Sequence, residues 1–288
     1  MFTDAISDQP AKEPILWTDT DGTLWHFWAQ SYNWWDGRGG VWAIKIDEKG
    51  EWSMPKRLCD GVMATPPIRT EKGEILLPVS IWKPWRDLWH PYPYFGNSGL
   101  YVSKDNGESF RYVGGADAPD STFDENTIVE ANGKLYMTIR CENSIKYSVS
   151  EDGGVSWSEP VKLMDHCSSR SYLAKMPSGN FMLITNDDAK DRKDMTAFLY
   201  SEGFRELKGK LLLDKKCATS YPAGHVDKDG RVYVAYDFNR YVEEEIYYAA
   251  FTEEDIINGK FAENSFTGKL VIKGENGKST DKVFESGI

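Results

Sequence analysis

Tyr-Ser-Val-Ser-Glu-Asp-Gly-Gly-Val-Ser-Trp-Ser-Glu-Pro, residues 147–160, is the most informative stretch of this sequence. The alternation that leads to Ser150 predicts a β-strand. The chain then reverses at Asp152-Gly153-Gly154, where glycine supplies the positive φ that a tight turn needs. Asp and Ser side chains in such a turn bond backbone N–H groups, so the turn supports itself. The stretch therefore predicts two strands joined by a stabilised hairpin.

The turn fits a Ser-x-Asp-x-Gly-x-Ser/Thr-Trp pattern that occurs twice. The positions are Ser150, Asp152, Gly154, Ser156 and Trp157 in this copy, and Ser103, Asp105, Gly107, Ser109 and Phe110 in the earlier one. Both copies follow a strand-like run. They resemble the Asp-box, or bacterial neuraminidase repeat, of the sialidase superfamily. That resemblance implies a hairpin on the outer rim of a β-propeller blade, away from the active site, and so concerns fold before function.

Glycine-centred turns recur along the chain and predict a repeated unit. They are Asp21-Gly22, Lys72-Gly73, Asn132-Gly133, Ser178-Gly179 and Asp229-Gly230. Each has apolar alternation after the glycine, as a type I′ hairpin would. The glycines recur about every 46–60 residues, close to the period of four-stranded propeller blades. We predict a single all-β propeller domain over residues 1–288, with units at about 14–58, 59–115, 116–165, 166–214 and 215–275, and one short helix at Thr252–Asn258.

Composition limits the possible partners. The net charge of −11 and pI of about 5.0 disfavour nucleic acid and anionic membranes, although a local basic pocket can still bind an anion. No apolar run is long enough to span a bilayer. The first residues lack signal-peptide features, which predicts a cytoplasmic protein unless a leader was removed or the gene start is internal. Four widely spaced cysteines favour free thiols, and the motifs present imply neither a metal nor an organic cofactor.

Further segments resemble sialidase-like proteins from bacterial carbohydrate-degrading systems. They are Leu24–Ser31, Asp36–Trp42, Leu58–Met63, Phe123–Glu130, Ser220–Gly224 and Tyr236–Arg240. The resemblance covers about Glu13 to Lys260 and implies six blades, whereas five units are visible. Either the chain is short at its N-terminus or a divergent blade closes from the two termini.

The resemblance also implies a catalytic apparatus that this sequence matches only in part. Sialidases bind the substrate carboxylate with three arginines, pair a Tyr nucleophile with a Glu, and use an Asp as acid/base. The Arg-Ile-Pro motif that carries the first arginine does not occur in this sequence. The motif of the acid/base Asp is not recognisable either. The chemistry of the side chains and their positions on predicted strands therefore indicate the candidate catalytic and binding residues.

The catalytic candidates lie near predicted inner strands, whose ends usually surround propeller ligands. Asp124 and Glu125 are candidate acid/base or nucleophile, because glycoside hydrolysis usually needs a carboxylate pair. Adjacent strand residues point to opposite faces, so only one is expected to face the channel. Tyr221 is the candidate nucleophile, and His225 a candidate acid/base or substrate hydrogen-bonding residue. The alternatives are a solvated turn for the carboxylates and packing roles for Tyr221 and His225.

Four arginines are candidates for binding a carboxylate, because the guanidinium group does so in a bidentate manner: Arg38, Arg140, Arg170 and Arg240. Arg140 ends an apolar strand, so it is expected to bind a ligand or to form an ion pair. Arg38 lies in a glycine-rich loop whose backbone can approach a ligand closely. Asp237 is predicted either to bind substrate or to pair with Arg240.

Two aromatic loops are candidate sugar platforms, because the C–H faces of sugars stack on flat rings. One is Tyr32–Trp35, in which Trp34 and Trp35 are the predicted contacts; the other is Trp82–Phe95. Covering the propeller face or forming a dimer contact are alternatives for the second loop.

The predicted function is a sialidase-like exo-glycoside hydrolase acting on terminal acidic sugars of glycans. One alternative is a glycosidase or polysaccharide lyase for uronate-containing glycans on the same fold. The other is a non-catalytic glycan-binding propeller or an inactive fragment.

Overall fold

The structure, a computed structural model, describes residues 11–32, 36–47, 49–81 and 98–270, without the side chains of residues 122–124 and 270. In these ranges the chain forms five antiparallel sheets and very little helix, which confirms the all-β prediction. The chain divides into two compact units. The first comprises Met1–Glu142 and Lys146–Val161, and the second Asn143–Ile145 and Lys162–Ile288.

The first three sheets follow one another along the chain. The first pairs β1 (Ala11–Thr18), β2 (Leu24–Gln30), β3 (Gly40–Lys45) and β4 (Lys56–Cys59) in that order. In the second, two short strands, β5 (Val62–Met63) and β6 (Ile68–Arg69), both pair with β7 (Ile75–Ser80), which is followed by β8 (Ser98–Ser103) and β9 (Arg111–Ala116). The third pairs β10 (Ser121–Ala131), β11 (Lys134–Cys141), β12 (Ile145–Ser150) and β13 (Val161–Met164).

The last two sheets belong to the second unit. The fourth pairs β14 (Tyr172–Lys175), β15 (Phe181–Asn186), β16 (Met195–Tyr200) and β17 (Leu207–Asp214). The fifth pairs β18 (Thr219–Val226), β19 (Val232–Phe238), β20 (Glu245–Phe251) and β21 (Phe266–Leu270). Each sheet is an up-and-down meander, the form of a propeller blade, and the five blades confirm the predicted β-propeller class.

The core of the second unit is built from the central strands of its two blades. Every residue of β15 and β16 is buried, which is typical of strands covered on both faces. Met182 and Ile184 of β15 share one apolar cluster with Val232 and Val234 of β19. Burial of each such side chain contributes about 1.5–3 kcal/mol.

The two Ser-x-Asp turns have the predicted hydrogen bonds. Ser150 Oγ donates to Asp152 Oδ1 (2.8 Å) and accepts from the Gly154 N–H (2.8 Å). Ser156 donates its N–H to Oδ1 (2.9 Å) and its Oγ to Oδ2 (2.5 Å) of Asp152. The copy at Ser103, Asp105, Gly107 and Ser109 repeats the same bonds. These bonds lower the pKa of Asp105 and of Asp152 to about 2, and the largest contribution comes from the hydroxyl of Ser109 and of Ser156, respectively.

The type I′ prediction is correct at one turn and wrong at four. Asn132 and Gly133 both have positive φ (51° and 73°) and link directly paired strands, as type I′ requires. At Gly22, Gly73, Gly179 and Gly230 the residue before glycine has no positive φ. There the glycine N–H bonds back across a longer loop, as in Gly22 N to Asp19 O (2.9 Å). These turns are type I turns followed by a glycine bulge, because only the glycine is left-handed.

The one α-helix described, α1 (Glu253–Asn258), begins as predicted at Thr252, which forms a capping box with Asp255. Although it follows the fifth blade's β20, it packs on β17 of the fourth. A Cβ at Gly209 of β17 would lie 2.5 Å from the Ile256 carbonyl oxygen, so only glycine permits this approach. Glu253 also accepts a hydrogen bond from Ser178 Oγ (2.8 Å).

Candidate functional site

Three arginines of the second unit converge on the ring of Tyr221. The guanidinium carbons of Arg170 and Arg192 lie 5.0 Å from the ring centroid, and that of Arg240 lies 4.0 Å from it. All three are within the range of cation–π attraction. Arg170 precedes β14, Arg192 lies between β15 and β16, and Arg240 follows β19. The fold thus brings three distant segments to one aromatic side chain, and we call these four residues the arginine–tyrosine cluster.

The backbone of Tyr221 is strained. Tyr221 and Pro222 together oppose a single residue of β19, Tyr236, so β18 contains a bulge at this point. Tyr221 has a φ of 54°, a left-handed conformation that is unusual for a bulky residue and further disfavoured before proline. Such strain persists only where the surroundings enforce it, and it concentrates at functional sites.

Neighbouring segments contain further left-handed residues that are not glycine. Ala218 (φ 64°) precedes β18, Asn239 (φ 43°) follows β19, and Asp194 (φ 53°) precedes β16. The Asn239 N–H donates to the Ala218 carbonyl oxygen (2.9 Å), which ties two of these segments together. Unusual backbone therefore lies on the same loops as the arginine–tyrosine cluster.

Asp237 is a carboxylate next to the arginine–tyrosine cluster. Ser220 Oγ donates to its Oδ1 (2.6 Å), and Arg240 donates from Nη2 to its Oδ2. Arg192 donates from Nη1 to Ser220 Oγ (3.3 Å) and from Nε to the Ser168 carbonyl oxygen (3.2 Å). Arg240 therefore pairs directly with Asp237, and Ser220 links Arg192 to the same carboxylate.

Tyr221 and Tyr236, the two tyrosines near this point, have different environments. Among the hydrogen bonds of the described residues, none joins the Tyr221 hydroxyl to a carboxylate, and its ring contacts are with the arginines. The Tyr236 ring is buried, and its hydroxyl bonds to Asp214 Oδ2 (3.3 Å) and Thr267 Oγ1 (3.1 Å). Burial raises the pKa of Tyr236. Tyr236 is thus a core residue, whereas Tyr221 belongs to the cluster.

His225 lies on β18 opposite Tyr233 and is exposed. It is four residues beyond Tyr221, or about 13 Å along an extended strand. The structure therefore does not bring His225 into the arginine–tyrosine cluster.

Glu125 and Arg140 of the first unit form a buried ion pair. Arg140 Nη1 donates to Glu125 Oε2 (2.6 Å), and the two side chains are 8% and 9% exposed. Arg140 is therefore matched by a carboxylate from the neighbouring strand of its own blade. Asp124 lies in β10, but its side chain lies outside the described residues.

Arg38 is largely exposed and binds the buried carboxylate of Asp36 (Nη2 to Oδ2, 2.6 Å). Asp36 also accepts a bond from the backbone N–H of Tyr32 (3.2 Å), so it organises the loop. A Cβ at Gly39 would lie 2.5 Å from the backbone of Gln30. The glycine therefore accommodates the adjacent strand. Trp34, Trp35 and the loop Trp82–Phe95 lie outside the described residues.

Sequence reasoning missed Arg192. Its loop, Asp187–Asp194, is rich in charge and was indistinguishable from a solvated turn. The available signal was topological: the loop joins β15 to β16 at the end opposite Gly179, and Arg170 and Arg240 flank strands at that same end.

Over the described ranges, no group of three or more His, Cys, Asp or Glu side chains is arranged to hold a metal ion. Likewise, none of the helices in these ranges is long and apolar enough to span a bilayer.

Comparison with known proteins supports the fold and the family. Residues 3–234 match the BNR repeat-like domain. Similar solved structures include a Hadza microbial sialidase, with a TM-score of 0.63 and 18% identity over 82% of this chain and 52% of that one. A Dyadobacter fermentans protein of unknown function gives 0.66 and 14%, over 94% and 85%. Penicillium chrysogenum alpha-L-arabinanase, complexed with arabinobiose, gives 0.58 and 14%, over 89% and 82%.

At identities of 14–18% these similar structures show the fold alone, and the chain spans about half the length of the sialidase. A search of curated protein sequences gave no match. Together, the match over residues 3–234 and the sialidase neighbours confirm the predicted resemblance to the sialidase-like BNR-repeat superfamily.

Proposed function

Because this chain belongs to the family of BNR repeat-like domains, we propose that it is an exo-acting glycoside hydrolase for terminal acidic sugars of glycans. The observation that carries the proposal is the convergence of Arg170, Arg192 and Arg240 on Tyr221. Guanidinium groups bind carboxylates through paired, charge-assisted hydrogen bonds. The convergence of three guanidinium groups on one ring favours an acidic sugar over a neutral fragment such as the arabinobiose bound by the arabinanase of the same fold.

Each residue of the cluster has a proposed role. The three arginines hold the sugar carboxylate, and Asp237 fixes the orientation of Arg240 through its ion pair. The Tyr221 ring keeps the guanidinium groups together, and its hydroxyl is the proposed nucleophile. Asp124 of the first unit stays a predicted acid/base residue, and its neighbour Glu125 is engaged by Arg140.

The test is sugar release from sialylated, uronate-capped and arabinan substrates, measured by chromatography. We expect release of an acidic sugar, with about 10- to 100-fold lower kcat/KM in Arg170→Ala, since a charged hydrogen bond contributes about 1.5–3 kcal/mol. The matched control is Arg231→Ala, which removes a half-buried arginine of the same unit that bonds the Asn264 carbonyl oxygen outside the cluster.

Three results would contradict the proposal. Release of arabinose alone would show that the substrate is a neutral sugar, which has no carboxylate for the arginines to bind. A product with the absorbance of a 4,5-unsaturated uronate would indicate a lyase. Binding of acidic sugars without turnover would indicate a glycan-binding module.

A further inference from the structure

One buried amide connects the segments that carry the arginine–tyrosine cluster. Asn186, the last residue of β15, is fully buried. Its Oδ1 accepts from Ser169 Oγ (2.7 Å), and its Nδ2 donates to the carbonyl oxygens of Lys193 (3.1 Å) and Thr219 (2.9 Å). The three partners thus come from three different segments of the chain.

Each of these partners lies next to a member of the cluster. Ser169 precedes Arg170, Lys193 follows Arg192, and Thr219 is two residues before Tyr221. A further backbone bond, from the Thr219 N–H to the Arg192 carbonyl oxygen (2.9 Å), joins two of these segments. The amide is therefore the point at which the three segments meet.

We propose that Asn186 is a positioning residue: its single side chain sets the spacing of Arg170, Arg192 and Tyr221. Its effect on turnover rests on the proposed function, whereas its effect on the spacing does not. The site needs one acceptor and two donors on the same planar group, which asparagine supplies. An aspartate of the same shape keeps the acceptor and loses both donors. Displacements of about 1 Å at such a site cost up to roughly 100-fold in rate.

Thr185 provides a matched control. It is the residue before Asn186 in β15, so its side chain points to the opposite face of the sheet. It is equally buried, and its hydroxyl has no hydrogen-bond partner among the described residues. Thr185→Val therefore keeps the shape of the side chain and removes a hydroxyl that forms no hydrogen bond with the described residues.

The first arm of the experiment is kinetic. Asn186→Asp is expected to raise KM for the acidic substrate by about 10-fold or more, with a smaller change in kcat, because binding geometry is lost. Thr185→Val is expected to leave both constants within about twofold of wild type. Equal effects of the two variants would overturn the proposal, because they would indicate general loosening of the core.

The second arm does not need activity. The Tyr221 ring is expected to displace the Nε–H proton resonances of Arg170, Arg192 and Arg240, and Tyr221→Leu identifies these resonances because it removes the ring. In Asn186→Asp we expect the resonances of Arg170 and Arg192 to move toward that of the exposed Arg205. Unchanged resonances would overturn the proposal. If they move while the wild type releases no sugar, the positioning role stands and the hydrolase proposal fails.

A second, less disruptive variant tests the proposal if Asn186→Asp does not fold. Ser169→Ala removes only the bond that Asn186 accepts. It is expected to move the Arg170 resonance and to leave that of Arg192 in place. Movement of both, or of neither, would contradict the proposed geometry.

Discussion

Two arrangements of arginine, one in each compact unit, differ in where their partners come from. Arg140 is 8% exposed and binds Glu125, which is 9% exposed and lies on the neighbouring strand of the same blade. Around Tyr221, three guanidinium groups from separate loops share one aromatic ring, and Arg240 also pairs with Asp237. The first arrangement ties together two strands of one blade, whereas the second gathers three loops around one side chain. This difference separates an arginine that stabilises a blade from arginines suited to a ligand.

The largest expected effect is on the ion pair of Arg140 and Glu125. Arg140→Ala leaves the Glu125 carboxylate buried without this cation, so the free energy of unfolding should fall by about 3–5 kcal/mol. Urea denaturation measures it. The double variant Glu125→Leu with Arg140→Met removes both charges and should recover part of the loss. A loss under about 1 kcal/mol in Arg140→Ala would mean that the pair is not structural.

The second prediction concerns the arginine–tyrosine cluster. Arg240→Met should change stability little, because the side chain is 32% exposed and surface ion pairs contribute about 0–1 kcal/mol. The affinity for an acidic monosaccharide should fall about 10- to 100-fold, measured by calorimetry. Loss of stability without loss of affinity would make Arg240 resemble Arg140 and remove the contrast.

The third prediction isolates the strain at Tyr221. Both Tyr221→Ala and Tyr221→Gly remove the ring, but only glycine adopts a φ of 54° without steric cost. The glycine variant should therefore unfold with a free energy about 1 kcal/mol higher than the alanine variant. Equal stabilities of the two would show that the backbone relaxes freely at this bulge.

The smallest effect is expected at the carboxylates that local hydroxyl and N–H groups compensate. The pKa of Asp152 is about 2, below its ordinary value of 3.8, because Ser156 and Ser150 bond the charged form. A lowered folded-state pKa gives stability that is present above the ordinary value and is lost as the pH falls toward 2. Asp152→Asn should therefore flatten the decline of unfolding free energy between about pH 4 and pH 2. A parallel decline in both proteins would contradict this.

Local patterns in the sequence predicted most of the fold. The Ser-x-Asp turns, the glycine turns and the Thr252 cap all depend on neighbouring residues, so their geometry could be read from the sequence. The turn type failed at Gly22, Gly73, Gly179 and Gly230, because a polar residue before glycine fits either a type I′ turn or a type I turn with a glycine bulge.

The candidate site was only partly predictable. The sequence predicts Arg170, Tyr221 and Arg240 as separate candidates, with pairing to Arg240 as one alternative for Asp237. Their convergence on one ring depends on contacts between distant segments, which one sequence does not contain. Arg192 was missed for the same reason. For Arg140 the sequence left ligand binding and an ion pair as alternatives, because local sequence does not show which charged residue lies on the neighbouring strand.

The position of α1 has a consequence for synthesis of the chain. The helix lies about 40 residues after the end of β17, against which it packs. At roughly 5–20 residues per second, a nascent chain waits about 2–8 s before this helix can be made. During that interval the face of β17 that the helix covers, including Leu211 of the apolar cluster that contains Ile256, is exposed, and exposed apolar surface promotes aggregation. The fourth blade is thus most open to misassembly while the fifth is still being translated.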